Sequence, residues 1–225
     1  MEETEPVLLL GDVDAIKDYV FETSSLPQMR GGSQLLIDCE REVAARVAEA
    51  GGEKIYCGGG GFLFRVPREH APMLKEEIER IYLDTTGAAT VTVVYENGHP
   101  PRHSGGPKDG WSGRLLRASA SEHPLDADFA RRLAVLAGHL RSAKASKGTA
   151  PSFQALPFGR RCDTCGIRVA ITEKRRADAG NAAESERIAL CDVCRKRHEA
   201  GVTGEGRTRG TFNEEFNRNV RPRSD

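Results

Sequence analysis

The chain has 225 residues, room for one full domain and a smaller appendage. Lys plus Arg equals Asp plus Glu at 33 each, so bulk charge does not mark it as a polyanion-binding protein. The balance is uneven: residues 151–225 carry 15 basic and 11 acidic side chains, which favours a polyanionic partner for that part. No apolar run approaches the ~20 residues of a membrane span, and the acidic start MEETEPVLLLGD is not a signal peptide. Six cysteines, four of them in two CxxC pairs, point to a reducing cytoplasm and a metal rather than to disulfides.

Residues 7–10 are a continuous apolar run, the mark of a buried central strand. A helix follows, with Ile16, Tyr19 and Val20 on one side and Asp14 expected as its N-cap. Residues 24–32, with Pro27 and the run Arg30-Gly31-Gly32-Ser33, read as a loop. A longer helix is expected over 33–50, its apolar stripe formed by Leu35, Leu36, Cys39, Val43 and Val47, with Gly51 and Gly52 stopping it. Two short strands then meet at four glycines, in IYCGGGGFLFRVP. Pro72 sits in the first turn of the next helix, whose buried face is Leu74, Ile78, Ile81 and Tyr82. Residues 89–95 are rich in β-branched side chains and read as a strand.

The order strand, helix, strand, strand, helix, strand, with the first crossover expanded to two helices, predicts an α+β protein with a ferredoxin-like (βαββαβ) palm or cyclase-like domain over 1–113. Right-handed crossovers place the first and third strands side by side. Residues 97–113, with His99, His103 and Trp111, read as a loop whose histidines are solvated. A helical segment and linker are expected over 114–150, with Phe129, Leu133, Leu136 and Leu140 at helical spacing and the linker starting near Lys144. A four-cysteine region over 151–200 and a disordered tail over 201–225 complete the chain.

A two-residue hairpin turn needs positive φ at its centre, so it accounts for two of the glycines Gly58, Gly59, Gly60 and Gly61. Either the other two reflect weak constraint, or they leave bare backbone with exposed N–H groups, which suits a nucleotide phosphate or sugar. Tracing strand directions brings Asp12 to the same sheet edge as the hairpin. The helix starting near Asp14 would offer an anion its free N–H groups there. Asp12 either reaches phosphates through Mg²⁺ or caps the strand end.

Cys162-Asp-Thr-Cys165-Gly166 and Cys191-Asp-Val-Cys194 are two knuckles 25 residues apart. Two residues between cysteines let both thiolates reach one ion, and the glycine suits the tight turn that aims N–H groups at sulfur. Four thiolates close the coordination shell, so structural zinc is expected and His198 is surplus. Cys39 and Cys57 are expected as core thiols.

GDVDAIKDYVFET, then RGGSQLL, then IYCGGGGFLF, then CDTCG with a later CDVC resemble, over roughly residues 7–198, the first palm and zinc region of the large subunit of type III CRISPR effector complexes, the Cas-ten family. The resemblance implies a cyclase-like palm that binds ATP. It also implies a second palm whose Gly-Gly-Asp-Asp hairpin holds Mg²⁺, and synthesis of cyclic oligoadenylate in antiviral defence when target RNA is bound. It places Arg30 and Ser33 near the nucleotide pocket. Partners would be a second palm polypeptide, other type III subunits and the guide RNA complex.

This sequence departs from the family in three ways: it shows neither an HD nuclease nor a second palm, and its hairpin tip lacks carboxylates. Two-metal phosphoryl chemistry needs several carboxylates. The expectation is therefore an ATP-binding half-site, inactive alone. Two other classes compete with it: a zinc-containing RNA- or protein-binding module without catalysis, and a stand-alone minimal cyclase-like polymerase.

Overall fold

The computed structural model describes residues 5–96, 124–147, 159–175 and 187–203. The loop with His99, His103 and Trp111 and nearly all of the expected tail lie outside the described residues. The architecture is mixed α+β. In chain order the elements are β1 (Val7–Val13), α1 (Ile16–Phe21), α2 (Leu26–Glu49), β2 (Glu53–Gly58), β3 (Gly61–Val66), α3 (Ala71–Thr86) and β4 (Val91–Tyr95). After these come α4 (Pro124–Ser146), β5 (Thr172–Arg175), β6 (Arg187–Leu190) and α5 (Asp192–Thr203). The residues fall into two compact units that interleave along the sequence. One comprises Met1–Asp14, Glu40–Tyr82 and Thr90–Thr149, the other Ala15–Cys39, Leu83–Ala89 and Ala150–Asp225.

The first unit is built on a four-stranded sheet in the order β2-β3-β1-β4, antiparallel throughout. Side chains alternate across a strand, so each face can be read from the register. Val7, Leu9, Val13, Phe62, Phe64, Val66, Val91 and Val93 share one face and are all buried. Gly11 lies among them because a Cβ there would overlap the Phe62 ring. Val43, Val47, Leu74 and Ile78 of α2 and α3 are fully buried, and Val47 meets Val66 beside Gly52. Each such side chain contributes about 1.5–3 kcal/mol when removed from water. On the other face Leu8, Leu10, Leu63 and Val94 pack under Phe129, Leu133 and Leu136 of α4. The helical segment after residue 114 thus serves as a cover for the sheet. Its described end also differs from expectation: Lys144 sits in the last turn of α4, not in a linker.

In the second unit the N-terminal part of α2 crosses α5. A Cβ on Gly31 would overlap the carbonyl oxygen of Arg197, and one on Gly201 would overlap that of Pro27. This corrects the expected loop at 24–32. The helix begins at Leu26, and Gly31 and Gly32 are helical. At Gly31 the helix-weakening cost of about 1 kcal/mol is offset by close packing that no larger residue allows. Arg197 is fully buried, its guanidinium 4.1 Å above the Tyr19 ring and 3.0 Å from Glu22 Oε2. Lys196 donates to the Asp84 carbonyl at 2.7 Å, and Val193 packs beside Gly87.

Candidate functional site

Two clusters carry the chemistry-bearing side chains, one in each unit. The first is the sheet edge where β1 ends. Asp12 pairs in register with Gly61, and Val13 donates its N–H to the Gly60 carbonyl at 2.8 Å. Gly59 and Gly60 have φ of 65° and 87°, the positive values a two-residue turn requires. The strand end and the glycine hairpin therefore meet, as the traced directions expected.

Several features of this edge differ from expectation. Gly60 is buried, and its N–H donates to Glu40 Oε1 at 2.7 Å, so a carboxylate from α2 already answers one of the tip's donors. A β-bulge between Lys54 and Tyr56 turns the Tyr56 ring over the hairpin, its hydroxyl donating to the Gly58 carbonyl at 2.6 Å. The ring lies within van der Waals reach of Cβ positions on Gly58, Gly59 and Gly61. Asp14 is not the N-cap of α1. Ala15 holds that position in the left-handed region with no side-chain cap, and α1 has only six residues, with Asp18 in its first turn. This short helix therefore provides no anion site.

Asp14 instead joins a polar cluster with β4 and α4. Its Oδ1 accepts from the Thr92 hydroxyl at 2.7 Å and its Oδ2 from the Thr90 hydroxyl at 3.0 Å. Burial opposes its ionisation. The Thr92 hydrogen bond and the Lys147 charge outweigh that, and hold its carboxyl below the usual range. Lys144 Nζ lies 2.5 Å from Asp12 Oδ2, 3.3 Å from Asp14 Oδ1 and 3.0 Å from the Val13 carbonyl. Lys147 Nζ lies 3.2 Å from Asp14 Oδ2 and donates to the Val91 carbonyl at 2.6 Å. Arg30 and Ser33 belong to the other unit. Ser33 there bonds its own helix, donating to the Met29 carbonyl at 3.2 Å. Sequence reasoning missed Glu40, Thr90, Thr92, Lys144 and Lys147. The three-residue spacing of Lys144 and Lys147 at the end of α4 was the available sign.

The second cluster is Cys162, Cys165, Cys191 and Cys194, whose sulfur atoms all lie within 4.8 Å of one another. A tetrahedral zinc tetrathiolate has sulfur atoms about 3.8 Å apart, from Zn–S bonds of about 2.3 Å. Cys165 and Cys191 stand at 3.8 Å. Gly166, at φ 65°, turns the first knuckle and donates its N–H to the Cys162 carbonyl at 2.9 Å. The second knuckle opens α5, and the Cys194 N–H points at Cys191 Sγ at 3.4 Å. Asp163 ties the first knuckle to β6, accepting the Ala189 N–H at 2.7 Å.

Thiols of Cys191 and Cys194 and the N–H groups of Arg168 and Ile167 stabilise the Cys165 thiolate and hold it well below the usual range. Donation to Cys165 pushes Cys191 up to about 11, and Cys194 rises for the same reason. Four sulfur atoms this close together are a donor set that suits a soft divalent cation. Arg168 stands behind it, salt-bridged to Glu22 at 2.8 Å. Burial works against the Arg168 charge, but Glu22 holds its pKa above the usual guanidinium range. Of the two remaining cysteines, Cys39 is fully buried and Cys57 half-buried, its sulfur 3.6 Å from the Glu40 carbonyl. No described helix is long and apolar enough to cross a membrane.

No family model matches the chain, and no curated protein matches it. Among solved structures the chain is similar to the apo Csm1-Csm4 cassette, at 16% identity and a TM-score of 0.41. The match covers 84% of this chain and 26% of that one, so the chain spans about a quarter of the protein it matches.

Proposed function

We propose that the chain is the first-palm and zinc part of a type III CRISPR effector large subunit. In this reading a ferredoxin-like palm contributes an ATP-binding half-site for cyclic oligoadenylate synthesis. Zinc held by Cys162, Cys165, Cys191 and Cys194 stabilises the adjoining region. The partners are a second palm polypeptide, the other effector subunits and the guide RNA complex. The observation that carries the nucleotide assignment is the pairing of Asp12 with Gly61 beside the glycine turn. That juxtaposition sets a carboxylate and bare backbone at the end of a central strand, which is where a palm places its nucleotide. The motif series in the sequence supplies the family context.

The test is ATP binding to the zinc-loaded chain by calorimetry, beside a Gly61→Ala variant. Gly61 has no positive φ, and its Cβ would meet Asp12 Oδ1 at 3.6 Å, an ordinary contact. The variant should therefore fold, while its methyl group occupies the approach to the turn. Loss of ATP binding, with the fold retained by circular dichroism, is the expected result. Equal affinity in both proteins would sink the site assignment. A second reading, a zinc-containing binding module without nucleotide, gains from the Glu40 carboxylate already on the Gly60 N–H. It predicts no ATP binding, together with salt-sensitive RNA or protein binding.

A further inference from the structure

The family resemblance implies a reaction with Mg²⁺ held by a second palm; at this edge Glu40 already accepts the Gly60 N–H, and the acidic pair that a divalent ion could bridge is Asp12 and Asp14. The described side chains leave no room for that ion as a bridge between the two carboxylates. Mg²⁺ takes six oxygen ligands in a near-octahedral shell at about 2.0–2.1 Å and uses carboxylate lone pairs to do so. A carboxylate has roughly four lone-pair sites. Asp14 accepts three hydrogen bonds within the protein and has a further ammonium beside it. Oδ1 faces Thr92 at 2.7 Å and Lys144 at 3.3 Å. Oδ2 faces Thr90 at 3.0 Å and Lys147 at 3.2 Å.

The space between the two carboxylates is also filled. The Lys144 ammonium has three protons and three oxygen neighbours, namely Asp12 Oδ2, the Val13 carbonyl and Asp14 Oδ1. A metal bridging Asp12 and Asp14 would have to occupy the same point. Lys147 adds a second positive charge beside Asp14 and hydrogen-bonds the Val91 carbonyl, which fixes it there. Lys144 comes from the last turn of α4, which is packed onto the sheet by Phe129, Leu133 and Leu136, and Lys147 directly follows that helix.

We infer that Lys144 is the resident cation of this edge, standing where a divalent ion would bridge Asp12 and Asp14, and that a nucleotide bound here is held without a divalent ion. The second half of this statement rests on the nucleotide reading above; the first half does not. Lys147, at 41% side-chain exposure, is a cation of this edge that an anionic ligand can also reach from solvent.

The experiment has two arms, both on the full zinc-loaded chain in chelator-free buffer. In the first, Mn²⁺ binding is followed by electron paramagnetic resonance. The wild type should leave the free Mn²⁺ signal unchanged. Lys144→Met, which keeps the aliphatic stem and removes the charge, should bind one Mn²⁺ and lose it again when Asp12→Asn is added. Lys144→Gln replaces it if the Met variant does not fold. Stoichiometric Mn²⁺ on the wild type that Asp12→Asn abolishes would overturn the inference, and so would a folded Lys144 variant that binds none.

In the second arm, ATP affinity of the wild type is measured with and without Mg²⁺. A change smaller than about threefold is expected, and tightening by about tenfold or more on adding Mg²⁺ overturns the inference while leaving the nucleotide reading intact. No ATP binding under either condition defeats the nucleotide reading instead, and the Mn²⁺ arm still decides the role of Lys144.

Discussion

Glycines do three different jobs in this chain, and only one of them is visible locally. Gly59 and Gly60 supply positive φ in a hairpin, a demand that neighbouring residues announce. Gly31 and Gly201 clear the crossing of α2 with α5, where the obstacle to a Cβ is backbone some 170 residues away in sequence. Gly138 clears nothing: open space surrounds the position of its Cβ. The contrast makes a prediction. Gly31→Ala must push two backbones apart and should lower the unfolding free energy by about 2 kcal/mol or more, the range of overpacked cores. Gly138→Ala should raise it by about 0.5–1 kcal/mol through helix propensity alone. Urea unfolding of both variants beside the wild type checks this. A Gly31→Ala protein as stable as the wild type would mean the helices do not approach as described.

At the level of elements, local signals were readable and long-range ones were not. The β1 run, the hairpin, the α3 stripe and the CxxC knuckles follow from periodicity or spacing within a few residues. The start of α2 was misread because two adjacent glycines resemble a loop when their packing partner is unknown. The role of the end of α4 was hidden because Lys144, and Lys147 just after it, answer Asp12 and Asp14 across more than 130 positions.

The other attachment of α4 has a measurable pH signature. Glu96 accepts from Arg132 at 2.8 Å through both carboxylate oxygens and from the Leu8 N–H at 2.8 Å. Burial opposes its ionisation, but these bonds win and hold its pKa below the usual glutamate value. A carboxylate with a depressed folded pKa contributes stability that is fully present above its unfolded value and lost as pH falls through the folded one. Wild type and Glu96→Gln should therefore differ by a constant amount above about pH 5 and converge below the unfolded value near 4.5. Urea midpoints measured from pH 3 to 7 test this. A difference that stays constant down to pH 3 would remove Glu96 from the account.

At the scale of the molecule, the make-up of the cysteine-containing unit decides what a metal bound by the four cysteines would hold together. A reading in sequence order assigns the cysteines to a region of their own after residue 150. The compact unit that contains them also takes in Ala15–Cys39 and Leu83–Ala89. Gln28 faces Thr164 at 3.4 Å, Glu22 binds both Arg168 and Arg197, and Lys196 holds the Asp84 carbonyl. Arg168, partly buried, and Arg197, fully buried, each stand within a few residues of one of the four cysteines, so displacing a knuckle moves a guanidinium off the Glu22 carboxylate. Breaking the Arg197 pair costs about 3–5 kcal/mol, because a buried charge is left behind. Metal binding to a tetrathiolate stabilises the folded form by more than that. Chelating the zinc should therefore raise amide deuterium uptake in residues 15–39 and 83–89 as well as in 159–203, and Cys162→Ser should reproduce the pattern. Hydrogen-exchange mass spectrometry with and without chelator gives the answer segment by segment. If the added uptake stops at the knuckles, α1 and the start of α2 are held by their own packing, and the metal serves only the loops that bind it.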